Sequence, residues 1–274
     1  MNKTGIVSPR WLNAHPGDRD LIIIDCRFQL TEPQWGHRQY LEGHIPGAHY
    51  LHLDEDLSSP PSPHGGRHPL PDLARLSDRF AEIGILKNES HVVLYDSSRL
   101  AFAARAWWLL RYLGHDRVSF LDGGWPAYLE GGYPVTADLP ITQPGYFVPT
   151  YQPDWLTHRD GVIHRPESTL LIDSREVERY EGKTEPIDPI AGHIPGALNA
   201  PWQRVTDEKG YILPPAEQKG LWSDYSPDRE MILYCGSGVT ACVNLFSLEM
   251  AGYDDVKLYP GGWSDWVSYL IPEP

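Results

Sequence analysis

The chain has 274 residues, long for one compact domain and ample for two. Its formal net charge of −14 argues against a nucleic-acid partner, which needs a basic footprint, and against anionic membrane surfaces. Three cysteines, Cys26, Cys235 and Cys242, are too few and too uneven for a disulfide framework. They fit a reducing compartment, so a cytoplasmic location is expected. No apolar run reaches the length of a transmembrane helix. Residues 1–10 lack an apolar h-region, and no signal peptide is expected.

Taken along the chain, the elements occur twice. Residues 21–24 are a short continuous apolar run, the signature of a strand covered on both faces in a parallel sheet. Gly43-His-Ile-Pro-Gly-Ala48 follows as turn chemistry. Residues 92–95 predict a second strand and residues 101–112 a helix, with Gly114 as its stop signal. A strand over 118–121 and the turn Gly123-Gly-Trp125 close the first half. Residues 138–153, rich in proline and polar side chains, read as a linker. The second half repeats the order: a strand over 170–172, Gly192-His-Ile-Pro-Gly-Ala197, and a strand over 231–234. A helix over 240–250 stopped by Gly252, a strand over 256–258 and Gly261-Gly-Trp263 complete it. A single long-period repeat is a duplicated domain, here 1–137 and 154–274. Alternating strands and helices make the fold class α/β, with a mostly parallel central sheet in each half and helices on both faces.

The second half carries a loop with chemical potential. Tyr234 ends a strand, then comes Cys235-Gly-Ser-Gly-Val-Thr240, and a helix follows. Such a loop points backbone N–H groups inward, and with the helix dipole they form an anion cradle. A cysteine at the rim is expected to react as the thiolate, a nucleophile supplied with its own activation. Gly236 and Gly238 let the backbone curl around the sulfur. Cys26 and Cys242 read as small packing residues. No cluster has zinc-ligand spacing, so neither metal nor other cofactor is expected.

This loop through Ala241, the paired Gly-His-Ile-Pro-Gly-Ala motifs and Arg105-Ala-Trp-Trp108 resemble the tandem-domain rhodanese family of 3-mercaptopyruvate and thiosulfate sulfurtransferases. The likeness covers nearly the whole chain. It implies two rhodanese-like domains, the first catalytically silent, with Asp96 standing opposite Cys235. It also implies sulfane-sulfur transfer from a small-molecule donor, through a Cys235 persulfide, to cyanide, a thiol or reduced thioredoxin. Backbone groups of Gly236, Gly238, Val239 and Thr240 would hold the persulfide. By the same resemblance Ser237 works with an aspartate and a histidine, here Asp54 and His68, with His64 as rival. The family binds the donor carboxylate with two arginines ahead of the second Gly-His-Ile-Pro-Gly. The matching positions here hold Glu181 or Lys183 and Asp188, which leaves Arg179, Lys183 and Arg67 as candidates. The neutral loop favours 3-mercaptopyruvate, and the altered arginine positions keep thiosulfate open.

Other chemistries fit less well. A cysteine phosphatase needs Cys-x5-Arg, and Ala241 occupies the arginine position. A non-catalytic binding or regulatory module suits the first half, but the second keeps its cysteine and glycines. A redox enzyme using Cys235 and Cys242 lacks the Cys-x-x-Cys spacing.

Overall fold

The computed structural model describes residues 4–271, so residues 1–3 of the N-terminal stretch read above and residues 272–274 lie outside the described residues. The first sheet contains β1 (Thr4–Val7), β2 (Leu21–Asp25), β3 (Ala48–Tyr50), β4 (His91–Tyr95) and β5 (Val118–Leu121). Their order is β1-β5-β4-β2-β3, parallel throughout. The second sheet contains β6 (Leu170–Asp173), β7 (Leu198–Asn199), β8 (Met231–Tyr234) and β9 (Val256–Leu258), ordered β7-β6-β8-β9 and again parallel. All six strands expected from apolar runs are present. The strands β1, β3 and β7 were not visible in the sequence. The last two are segments of three and two residues after the Gly-His-Ile-Pro-Gly turns, too short to show a period.

Continuous apolar runs become strands here because both faces are covered. Val92, Val93, Leu94 and Tyr95 are all completely buried. The expected helices run Ala103–Tyr112 and Ala241–Ala251. Gly114 (φ 81°) and Gly252 (φ 89°) terminate them in the left-handed conformation that glycine adopts at least cost. Val7, Leu12, Ile23, Val93 and Leu121 pack one core. Val162, Leu171, Ile232, Tyr234 and Trp263 pack the other.

The duplication extends to a buried ionic clamp. Arg27 Nη2 donates to Asp25 Oδ2 (2.6 Å) and to the carbonyl of Gly43 (2.7 Å). Arg175 Nη2 donates likewise to Asp173 Oδ2 (2.7 Å) and to the carbonyl of Gly192 (2.6 Å). Each clamp ties the end of a central strand to a Gly-His-Ile-Pro-Gly turn. A buried pair of this kind adds little net stability, but breaking it strands a charge at a cost of roughly 3–5 kcal/mol.

The chain forms two compact units that no single cut separates. The first comprises residues 1–58, 71–152 and 208–212, and the second 59–70, 153–207 and 213–274. Much of the proline-rich stretch after residue 137 is docked on the first unit. The Gly145 amide donates to Ala81 (2.7 Å), the Thr150 amide to Leu113 (2.9 Å), and Phe147 is buried. Residues 59–70, although from the first half of the sequence, are held in the second unit. The Gly65 amide donates to Asp265 Oδ1 (2.7 Å) and the Arg67 amide to Ser264 Oγ (3.1 Å). Among the described residues no helix is long and apolar enough to cross a membrane.

Candidate active site

Cys235 follows directly on β8 and is 2% exposed. The Gly-Gly-Trp turn seats its loop: the Trp263 amide donates to the Cys235 carbonyl (2.8 Å) and the Ser264 amide to the Gly236 carbonyl (2.9 Å). Gly238 adopts φ 69°, and a Cβ there would stand 2.3 Å from the Pro260 carbonyl oxygen. Only glycine meets both demands. Val239 and Thr240 lead into the helix, where their carbonyls accept from the amides of Cys242 (3.1 Å) and Val243 (3.1 Å).

The matching loop of the first unit carries an acceptor of its own. Asp96 follows β4, and the Trp125 amide donates to its carbonyl (2.8 Å). The Asp96 carboxylate accepts from the amides of Ser98 (2.8 Å), Leu100 (3.1 Å), Phe102 (3.0 Å) and Ala103 (3.0 Å). The chain thus fills its first anion cradle with its own carboxylate.

Ser237 Oγ lies 2.7 Å from His68 Nδ1, and both residues are buried. The rival His64 is engaged elsewhere, with Nδ1 on Ser268 Oγ (2.8 Å) and its ring stacked on Tyr269. Asp54 belongs to the first unit, half-buried, with its amide donating to His52 Nδ1 (3.1 Å). Cys242 packs in the helix, its thiol on the Gly238 carbonyl (3.4 Å). Cys26 is buried in the first unit. Burial, with the carboxylates of Asp25, Asp96 and Asp56, pushes its thiol well above the usual range.

Two of the three candidate cations reach the loop. A Cβ placed on Gly236 would stand 2.8 Å from Arg67 Nη2 and 3.6 Å from Arg179 Nη2. Lys183 is not with them: its side chain is exposed and pairs with Glu181. Both arginines are engaged by acids, one of them Asp188 and the other Glu185. Arg67 pairs with Asp188, and Arg179 pairs with Glu185 (2.7 Å) and Asp188 (3.4 Å). Glu185 also receives Arg175 (3.0 Å). Burial opposes ionisation of Glu185, but hydrogen bonds from Arg179 and from the amides of Asp188 and Ile187 hold it below the ordinary carboxylate range. For Asp188 burial prevails over the pull of Arg67, and its carboxyl is raised. Burial likewise lowers Arg67. The arrangement offers a sulfur nucleophile, a neighbouring hydroxyl–imidazole pair and two guanidiniums able to grip an anion.

The description Rhodanese-like domain matches residues 8–130 and again 159–269. A Pseudomonas aeruginosa protein named probable 3-mercaptopyruvate sulfurtransferase is 42% identical, covering 98% of this chain and 96% of its own. The thiosulfate sulfurtransferase of Cricetulus griseus is 33% identical, with 98% and 93% covered. Among solved structures, the 3-mercaptopyruvate sulfotransferase SseA from Escherichia coli superposes with a TM-score of 0.83 at 33% identity, covering 95% of this chain and 99% of that one.

Proposed function

Because the chain belongs to the rhodanese-like family and is a sulfurtransferase, we propose that it carries sulfane sulfur on Cys235, taken from a small anionic donor and passed to a thiol. The observation that carries this reading is the setting of Cys235: a buried loop after β8, with Arg67 and Arg179 beside Gly236. The first unit supports the cradle, since there four amides converge on the side chain of Asp96. A persulfide anion on Cys235 would gain from the equivalent donors around Gly236 to Thr240.

The first half-reaction needs no external redox agent. With thiosulfate, the Cys235 thiolate attacks the outer sulfur, the sulfur–sulfur bond breaks, and sulfite leaves with the electron pair. With 3-mercaptopyruvate, the thiolate attacks the thiol sulfur and the carbon–sulfur bond breaks. The pair passes to the carbon, and the resulting enolate takes a proton to become pyruvate. Only this second route needs a proton at the departing carbon. We assign that step to the Ser237–His68 pair, a reading supported by their 2.7 Å contact, and Asp54 joins them on the family resemblance alone. We therefore take 3-mercaptopyruvate as the preferred donor and thiosulfate as the lesser one. Arg67 and Arg179 bind the anionic end of either. The second half-reaction passes the terminal sulfur to cyanide, a thiol or reduced thioredoxin, and regenerates the thiolate.

The test is a steady-state comparison of kcat/KM on both donors with one acceptor, for the wild type and Cys235→Ser. Turnover on both donors in the wild type, 3-mercaptopyruvate ahead, and none in Cys235→Ser is expected. Retained turnover in Cys235→Ser ends the proposal.

A further inference from the structure

Six charged side chains of the second unit form a ladder of alternating sign that ends at the cysteine loop. Asp173 binds Arg175, Arg175 binds Glu185, Glu185 binds Arg179, Arg179 approaches Asp188, and Asp188 binds Arg67. The three acids and three arginines cancel. The two guanidiniums nearest Gly236 therefore hold no surplus positive charge between them.

We propose that Asp188 is an internal counter-anion, holding on Arg67 and Arg179 the place of the donor's anionic group, and that it sets the preference between singly and doubly charged donors. The inference rests on the reading that Cys235 receives sulfur from such a donor.

Geometry supports the assignment. One oxygen of Asp188 meets Arg67 Nη1 and the other lies 3.4 Å from Arg179 Nη2, so a single carboxylate bridges both arginines. Its side chain is only 3% exposed, so it stays close when a ligand arrives. Glu185 already saturates the other side of Arg179, through Nε (3.3 Å) and Nη2 (2.7 Å). An anion entering beside Gly236 must share the guanidiniums with Asp188 and meets its negative charge. Repulsion scales with the ligand's charge, so a dianion such as thiosulfate suffers about twice what the carboxylate of 3-mercaptopyruvate suffers. Asp188 thus acts through the arginines as a positioning residue for donor selection. Burial, and after it the charge of Glu185, raises its carboxyl against the pull of Arg67, Arg179 and Arg175.

Asp188→Asn keeps the shape and removes the charge. KM should fall by roughly threefold for 3-mercaptopyruvate and roughly tenfold for thiosulfate, with kcat little changed, since the energy ratio of two becomes a square in the fold-change. Asp188→Glu should restore the wild-type ratio of kcat/KM on the two donors. A second measurement needs no turnover: protection of Cys235 from iodoacetamide by sulfate and by chloride, both unreactive. Sulfate should protect Asp188→Asn at roughly tenfold lower concentration than wild type, and chloride should gain less. Failure of the wild type to turn over either donor would sink the proposed function, and the protection data would still decide this inference. An unchanged ratio of donors, equal losses on both, or sulfate protection no better than in wild type would overturn it.

Discussion

Ser237 Oγ and His68 Nδ1 stand 2.7 Å apart although 169 positions separate them in the chain. The contact exists because residues 59–70 pack with the second unit rather than with the half of the sequence they come from. It gives the loop a hydroxyl backed by an imidazole, a pairing suited to moving a proton.

The first prediction follows from which donor needs that proton. Ser237→Ala should lower kcat/KM on 3-mercaptopyruvate by about 100-fold, the scale of general acid–base assistance. On thiosulfate, where sulfite leaves without protonation, the loss should stay within several-fold. Equal losses on both donors would remove the pair from the proton path.

A second prediction concerns the loop around Asp96 in the first unit. Asp96→Ala leaves four amides of the first unit, three of them buried, without their acceptor. Stability measured by urea unfolding should fall by roughly 3 kcal/mol. Sulfur loading per folded molecule should be unaffected. A loss below roughly 1 kcal/mol would mean that the carboxylate is not what satisfies those amides.

Glu185 gives a prediction with a sign in pH. Its folded-state carboxyl is held below the ordinary 4.5. Its contribution is therefore complete above that value and is lost as pH falls through the folded value. Glu185→Gln should be less stable than wild type at pH 7, by roughly 1–2 kcal/mol. The difference should close as pH falls below 4.5 and through the folded-state value. Thermal unfolding of both proteins across pH 3–7 checks this, and a constant gap would show that the charge of Glu185 does not matter.

Much of the fold was legible because burial on both faces of a parallel sheet leaves apolar runs, as at β4 and β8. The cysteine loop was legible because glycines around a thiol have a chemical reason. The edge strands β3 and β7 were hidden by their length. Arg27 and Arg175 carry a local signal, since each follows a strand-ending aspartate by two positions in both repeats. Asp188 and Glu185 were not within reach. Asp188 stood where the resemblance asked for an arginine, and Lys183 looked an equal candidate to Arg179. Which charges meet is decided by how residues 59–70 and 175–188 pack, and no local pattern encodes that.

The most direct measurement is mass spectrometry of the protein after incubation with a sulfane donor and removal of excess reagent. A gain of about 32 Da, one sulfur atom, on the peptide containing Cys235 is expected, reversed by a thiol acceptor. An adduct confined to Cys26 or Cys242, or none with either donor, would contradict the account.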